Sequence, residues 1–134
     1  MKKILLDTNS YSLLSGGNSK IEKITKQASV VFISSISLGE LYAGFKAGNK
    51  ESKNLETLNY FIRDPKVAVI AVGQKVATHY GEIKHTLRKR GTPIPDNDIW
   101  IASCAAETNA AVVTYDRHFT KIPGIKIWDQ VKAN

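Results

Sequence analysis

Residues Ile4-Leu5-Leu6-Asp7-Thr8-Asn9 are the stretch that decides the fold. The three apolar residues predict a short buried strand, and the apolar run stops abruptly at an acid followed by two polar residues. A short helix is expected directly afterwards, over residues 10–15. Asp7 and Asn9 therefore fall at the carboxyl end of a strand, which is where open parallel sheets carry their binding sites.

The rest of the chain continues this alternation of strand and helix. Further strands are predicted at residues 30–33, 67–72, 111–113 and 125–128, and helices at 19–27, from 37 onward, 49–62, 74–90 and 96–108. Strands joined by helical crossovers form a parallel sheet that is covered on both faces. The predicted fold is α/β, a three-layer α/β/α sandwich around a central, mainly parallel sheet.

Length and composition indicate a single domain spanning residues 1–134. A chain of 134 residues with 43% hydrophobic residues has enough apolar material for one core but not for two. No apolar run approaches the roughly 20 residues of a membrane helix, and Asp7 comes too early for a signal peptide. We therefore expect a cytoplasmic protein that does not enter a membrane.

The few cysteine and histidine residues limit the kinds of metal site. Cys104 is the single cysteine, so an internal disulfide is excluded, and the three histidines lack zinc-ligand spacing. Any metal is expected to be bound by oxygen. Cys104 itself is interpreted as a buried small hydrophobe, Trp100 as a core or dimer contact, and His118 as a loop residue rather than a phosphate donor.

Basic residues give the chain a formal charge of +7, which favours polyanionic partners such as nucleic acid. Positive residues near the predicted helix ends are candidate RNA contacts, although they could equally form an ordinary solvated helix face. These candidates are Lys46, Lys50, Lys53, Lys84, Arg88, Lys89 and Arg90.

Four acids fall where the predicted topology can gather them. Asp7, Glu40 and Asp116 each follow a strand, so they share one edge of the sheet, and Asp98 lies in the first turn of an apolar helix that could point at that edge. Crowded carboxylates repel one another unless a cation neutralises them. Oxygen ligands suit Mg²⁺ or Mn²⁺, and a divalent ion bound in this way promotes phosphodiester hydrolysis.

Each acid also has a purely structural alternative. Asp7 could cap the first short helix, and Ser37-Leu38-Gly39-Glu40 has the pattern of a capping box in which the glutamate binds its own backbone. Asp116 could be an ordinary turn acid. Asp96 is the better candidate for the N-cap of its helix, which leaves Asp98 available for other roles.

The pattern of motifs resembles that of the PIN-domain ribonucleases, and most closely the VapC-type toxins of prokaryotic toxin–antitoxin pairs. The resemblance spans nearly the whole chain. It rests on Leu6-Asp7-Thr8-Asn9, Ser37-Leu38-Gly39-Glu40-Leu41, Asn97-Asp98-Ile99-Trp100-Ile101-Ala102 and Thr114-Tyr115-Asp116-Arg117-His118-Phe119.

This resemblance implies a site and partners. Asp7, Glu40 and Asp98 would be the core acidic ligands of Mg²⁺ or Mn²⁺, with Asp116 as a fourth and more variable ligand. Asn9 and Thr114 would orient those ligands or position a water. The resemblance further implies RNA as the substrate, a homodimer, and a cognate antitoxin that covers the site.

Two other functions compete with this prediction. Aspartate-based phosphatases also place an acid after the first strand, but they require a second aspartate two residues later, where this chain has Asn9. A non-catalytic module that binds nucleic acid on the same fold is the second alternative. The retained acids count against it, because carboxylates hinder phosphate binding unless a metal intervenes.

Overall fold

Five parallel strands form one sheet in the computed structural model, which describes residues 2–128. The strand order is β3-β2-β1-β4-β5, so β1 occupies the centre. The strands are β1 (Lys3–Leu6), β2 (Val30–Ser34), β3 (Val67–Ile70), β4 (Ala111–Val113) and β5 (Lys126–Ile127). The expectation of a mainly parallel sheet is confirmed.

Six α-helices and one 3₁₀ helix connect these strands within the described residues. They are α1 (Thr8–Ser15), α2 (Ser19–Gln27), α3 (Ser35–Ala47), α4 (Glu51–Ile62), α5 (Gln74–Arg90), α6 (Asp96–Thr108) and the 3₁₀ helix Arg117–Lys121. None of these helices is both long and apolar enough to span a bilayer.

The helices lie on both faces of the sheet because side chains along each strand alternate between two cores. Leu5 points to the face covered by α5 and α6, where Ile83 and Ile101 are buried. Ile4 and Leu6 point to the opposite face, which is covered by α1 to α4. Because both faces of the sheet are covered, the strand sequences are mostly apolar. The predicted three-layer sandwich is confirmed.

The chain reverses direction across the sheet at β1. It proceeds from β1 outward to β2 and β3, then returns to place β4 on the other side of β1. A crevice opens at such a switch point, outside the carboxyl ends of the two strands. Asp7 follows β1 and Thr114 follows β4, so these two residues flank that crevice.

Several predicted boundaries were wrong, in two helices because of capping. Helix α1 begins at Thr8 rather than at residue 10, since Asp7 is its N-cap. Helix α3 begins at Ser35 rather than at residue 37, and α4 begins at Glu51 rather than at residue 49. Strand β3 ends at Ile70, and β5 comprises two residues instead of four.

Candidate active site

Asp7 lies at the carboxyl end of β1 and is only 6% exposed. Its Oδ1 accepts a hydrogen bond from the Ser10 backbone N–H at 2.8 Å, and its Oδ2 accepts one from the Thr114 hydroxyl at 2.6 Å. Burial raises the pKa of this carboxyl group, the two hydrogen bonds oppose that rise, and the charge on Asp116 adds to it. The predicted capping role is therefore real, and it uses one oxygen, while the other oxygen binds Thr114 at the end of β4.

Asp98 lies in the first turn of α6, as the sequence predicted. Its pKa is raised to about 6, first by burial and then by the negative charges of Asp116, Asp7 and Glu40, while His118 acts in the opposite direction. Asp98 therefore lies close enough to the other three predicted acids to feel their charge, although in the part of the chain that the structure describes only Asp116 among them shares its ligand-distance group. Asp98 is the member whose ionisation the others oppose.

Asp96 is not the N-cap of α6, so that prediction was wrong. Pro95 occupies the cap position without a side-chain hydrogen bond, and Asp96 is the first helical residue. Its carboxylate instead accepts hydrogen bonds from the Tyr80 hydroxyl at 2.9 Å and from Lys84 at 2.8 Å. These contacts lower the pKa of Asp96, whereas the pKa of Asp98 is raised.

Glu40 lies in the second turn of α3, and the predicted capping box does not form. Ser34, not Ser37, caps this helix by accepting a hydrogen bond from the Ser37 backbone N–H. Glu40 Oε1 lies 2.5 Å from the Thr8 hydroxyl, and Glu40 Oε2 accepts a hydrogen bond from Asn97 at 3.2 Å. Its carboxylate thus links α1 and α6 across the crevice rather than binding its own helix.

Asp116 caps the 3₁₀ helix through a hydrogen bond from the His118 backbone N–H to its Oδ1 at 2.9 Å. The turn role considered for this acid is therefore present as well. The His118 ring turns back over the same acid: Nδ1 lies 3.1 Å from Asp116 Oδ1 and 4.0 Å from Asp98 Oδ2. The sequence analysis interpreted His118 as a loop residue and did not expect its ring beside the acids; its spacing of two residues from Asp116 was the available signal.

These side chains fit a divalent cation. Asp98, Asp116 and His118 each offer one ligand atom, and the three atoms lie within 4.8 Å of one another. Two ligands of one Mg²⁺ are at most about 4.2 Å apart, so small side-chain rotations suffice. The expectation that only oxygen would be available is incomplete, since an imidazole nitrogen is within reach.

The two supporting residues suggested by the sequence lie in different settings. Thr114 is fully buried; besides donating to Asp7, its hydroxyl accepts a hydrogen bond from the Asp116 backbone N–H at 2.9 Å. It therefore ties two of the acids together. Asn9 is exposed, and within residues 2–128 its side chain makes no hydrogen bond to any of the four acids. It lines an open cavity that Asp116 also lines.

The predicted basic contacts form two groups at helix ends. Arg88, Lys89 and Arg90 close α5, and the loop of residues 91–95 leads from them directly to the turn that holds Asp98. The other group follows Glu40 on α3 and in the next loop. There Lys46 pairs with Glu51 at 3.0 Å, and Lys50 is exposed.

Two further predictions concern α6, and the structure agrees with a core position for both residues. Cys104 is fully buried and burial raises its pKa to about 11, which agrees with an inert core position. Trp100 is half-buried and stacks on Tyr80 with ring centroids 4.0 Å apart. Its side chain packs against the core beneath α5 and α6.

Comparison with known proteins gives a consistent result. Residues 4–125 match the family model of the PIN domain. The chain is 33% identical to the tRNA(fMet)-specific endonuclease VapC of Salmonella typhimurium, covering 96% of this chain and 98% of that protein. It is also 33% identical to ribonuclease VapC2 of Rickettsia felis, over 82% of each chain.

Solved structures give the same match. The DNA-bound VapBC complex of Salmonella typhimurium has a chain that superposes with a TM-score of 0.82 at 33% identity, covering 96% of this chain and 98% of that one. The VapBC2 complex of Rickettsia felis, bound to a promoter DNA fragment, gives a TM-score of 0.80 at 30% identity, with 94% and 97% covered.

Proposed function

The chain belongs to the PIN-domain family, and from that premise we propose that it is a metal-dependent endoribonuclease that hydrolyses RNA phosphodiester bonds as the toxin of a toxin–antitoxin pair. One observation carries the proposal. Carboxylates from four separate segments, Asp7, Glu40, Asp98 and Asp116, converge at the switch point of the sheet. Their mutual repulsion is relieved when a cation binds among them.

We assign Mg²⁺ or Mn²⁺ to Asp98 and Asp116, with His118 within reach as a further ligand and with Asp7 and Glu40 completing the acidic set. When bound, the ion would polarise the phosphodiester and lower the pKa of an attacking water. The protein's own part is orientation. Thr114 fixes Asp7, and Thr8 and Asn97 fix Glu40, so the carboxylates keep their positions as the substrate approaches.

RNA binding is assigned to the positive helix ends beside the acids. An acidic centre repels a phosphate backbone, so cations at its rim are needed to retain the substrate. The closing residues of α5 are suited to this because the chain leads from them straight to Asp98. Lys46 and Lys50, beyond Glu40, would extend the same path.

The comparisons suggest the substrate and partners to test first. The name of the Salmonella relative makes tRNA(fMet) the first RNA to assay. The similar solved structures are VapBC complexes, which supports a cognate antitoxin that covers the site. We also propose a homodimer acting in the cytoplasm, following the sequence expectation.

The decisive experiment incubates the purified chain with tRNA and Mn²⁺ and follows cleavage on a gel. We expect cleavage by the natural chain, none by Asp7→Asn, and none when EDTA is added. Asp64→Asn is the matched control, since Asp64 is exposed and accepts a hydrogen bond from the Lys66 backbone N–H.

Circular dichroism of each variant checks that it is folded. Equal cleavage by the natural chain and a folded Asp7→Asn would contradict the assigned chemistry. Cleavage that survives EDTA would contradict the metal dependence while leaving ribonuclease activity in place.

A further inference from the structure

An open cavity of about 500 Å³ lies beside the acids, lined by Asn9, Ser12, Leu13, Tyr115 and Asp116. Asp116 belongs to both the cavity and the acid cluster. A substrate whose phosphate sits among the acids therefore places its next chemical group at the mouth of this cavity. In single-stranded RNA the groups attached on either side of that phosphate are a ribose and its base.

Two walls of the cavity are apolar and exposed. Leu13 is 41% exposed and Tyr115 is 39% exposed, although most large hydrophobic residues in the described part of the chain are covered. The Tyr115 ring packs against the Trp128 ring in a T-shaped contact, with centroids 5.4 Å apart and planes at 69°. Because Trp128 is itself buried, Tyr115 presents an aromatic surface that is already fixed in position.

The other walls carry hydrogen-bonding groups on α1. Asn9 and Ser12 are both exposed, and within residues 2–128 the Asn9 side chain makes no hydrogen bond. An amide both donates and accepts, so it can bind the edge of a base. An aromatic face beside an unpaired amide is the combination that recognises bases splayed out of single-stranded RNA.

We propose that this cavity binds the nucleobase of the nucleotide adjoining the cleaved bond, with Tyr115 and Leu13 against its face and Asn9 on its edge. This inference rests on the proposed ribonuclease function and deepens it. It also gives Asn9 a role in substrate selection in place of the ligand-orienting role expected from the sequence, and it makes Tyr115 a specificity-determining residue.

The test measures cleavage of a random-sequence RNA and records the bases flanking each cut. Tyr115→Ala should lower kcat/KM by about 5- to 150-fold, the range for removing one base–aromatic stack. Tyr115→Phe, which keeps the ring, should retain most of the activity. Asn9→Ala should broaden the base preference at one flanking position. Tyr60→Ala is the matched control, since Tyr60 is 80% exposed on α4.

A second measurement pairs Tyr115→Ala with an RNA that lacks the base on one side of the preferred cut. If that base sits on Tyr115, removing the base and removing the ring should each lower kcat/KM, and the two together should cost no more than removing the base alone. The base site would be overturned if the losses in kcat/KM from removing the base and from removing the ring multiplied. It would also be overturned if Tyr115→Ala cleaved RNA as well as Tyr60→Ala does. If the natural chain cuts no RNA, the proposed function fails instead, so the two failures are distinguishable.

Discussion

Asp98 is the carboxyl group whose ionisation the fold opposes most clearly. Its side chain is 22% exposed, and burial together with three other acids raises its pKa to about 6. Without a metal, Asp98→Asn should therefore stabilise the folded chain at pH 7.5 by about 1–2 kcal/mol, less than the full pKa shift implies because solvent screens part of the repulsion. Thermal melting in EDTA measures this, and cleavage should be abolished in the same variant.

Asp96→Asn is the matched control, two residues earlier on the same helix. Its carboxylate is bound by Lys84 and Tyr80, so its removal should lower the melting temperature slightly and leave cleavage near the natural level. A large loss of stability on Asp98→Asn would instead mean that this carboxylate holds the fold together.

The raised pKa of Asp98 also predicts how the stability and the Mn²⁺ affinity of the chain depend on pH. The folded protein keeps this proton up to about pH 6, whereas the unfolded chain releases it near 3.8. The protonated Asp98 carboxyl group therefore contributes fully to the free energy of unfolding below about pH 4, and this contribution is lost as the pH rises through 6. Because a cation must displace the same proton, Mn²⁺ affinity should rise by up to about tenfold per pH unit below 6 and level off above it.

Calorimetric titration with Mn²⁺ between pH 5 and 8 checks this dependence. Asp96→Asn should follow the natural profile. A flat profile in the natural chain would show that Asp98 releases no proton when the ion binds.

Strands β1 and β4 are joined at the site through Thr114. Its hydroxyl binds both the Asp7 side chain and the Asp116 backbone, and it is fully buried. Thr114→Val keeps the shape but leaves these partners unpaired, which should cost about 1–3 kcal/mol of stability. Metal affinity or activity should fall by about 10- to 100-fold.

Thr114→Ser restores the hydroxyl and should recover both properties. Urea denaturation and Mn²⁺ titration measure them. Equal behaviour of the valine and serine variants would show that the hydroxyl contributes nothing to the site.

The end of helix α5 carries three consecutive cations that lead into the Asp98 turn. Replacing Arg88, Lys89 and Arg90 with glutamine should weaken RNA binding and reduce its dependence on salt, by about 0.7 in slope for each phosphate that the protein no longer neutralises. Fluorescence anisotropy of labelled RNA at several salt concentrations measures this slope.

The control removes the same charge from the opposite edge of the sheet. Lys2 and Lys126 lie at the amino ends of β1 and β5, and Lys23 lines a cavity with Lys2. Replacing these three with glutamine should have a smaller effect. Equal effects of the two sets would mean that total charge, rather than the α5 end, retains RNA.

The two cores share a single sheet, so we expect them to unfold together as one domain. Trp100 packs against the core under α5 and α6, whereas Trp128 belongs to the core on the other face. Trp100→Phe and Trp128→Phe each leave one fluorophore, and each reports on one core. Their urea midpoints, compared with circular dichroism of the same variant, should coincide for each chain. A separate transition for either tryptophan would contradict the single domain.

Much of the architecture could be predicted because periodicity and burial are properties of short segments. The apolar run 4–6 predicts a buried strand, the amphipathic α5 predicts a helix buried on one face, and the apolar middle of α6 predicts a buried helix. Helix starts were less predictable. Ser34 and Asp7 act as caps because their side chains find a backbone N–H in three dimensions, which a local pattern shows only approximately.

The acids at the first strand and on the apolar helix could be read from the chain alone, since strand ends of a parallel sheet meet at one edge. Their roles depended on contacts between residues far apart in the sequence. Thr114 reaches Asp7, Thr8 and Asn97 reach Glu40, and Tyr115 is supported by Trp128. Hydrogen bonding and desolvation depend on distance in space, so the raised pKa of Asp98, the nearby ring of His118 and the cavity beside them follow from the folded arrangement.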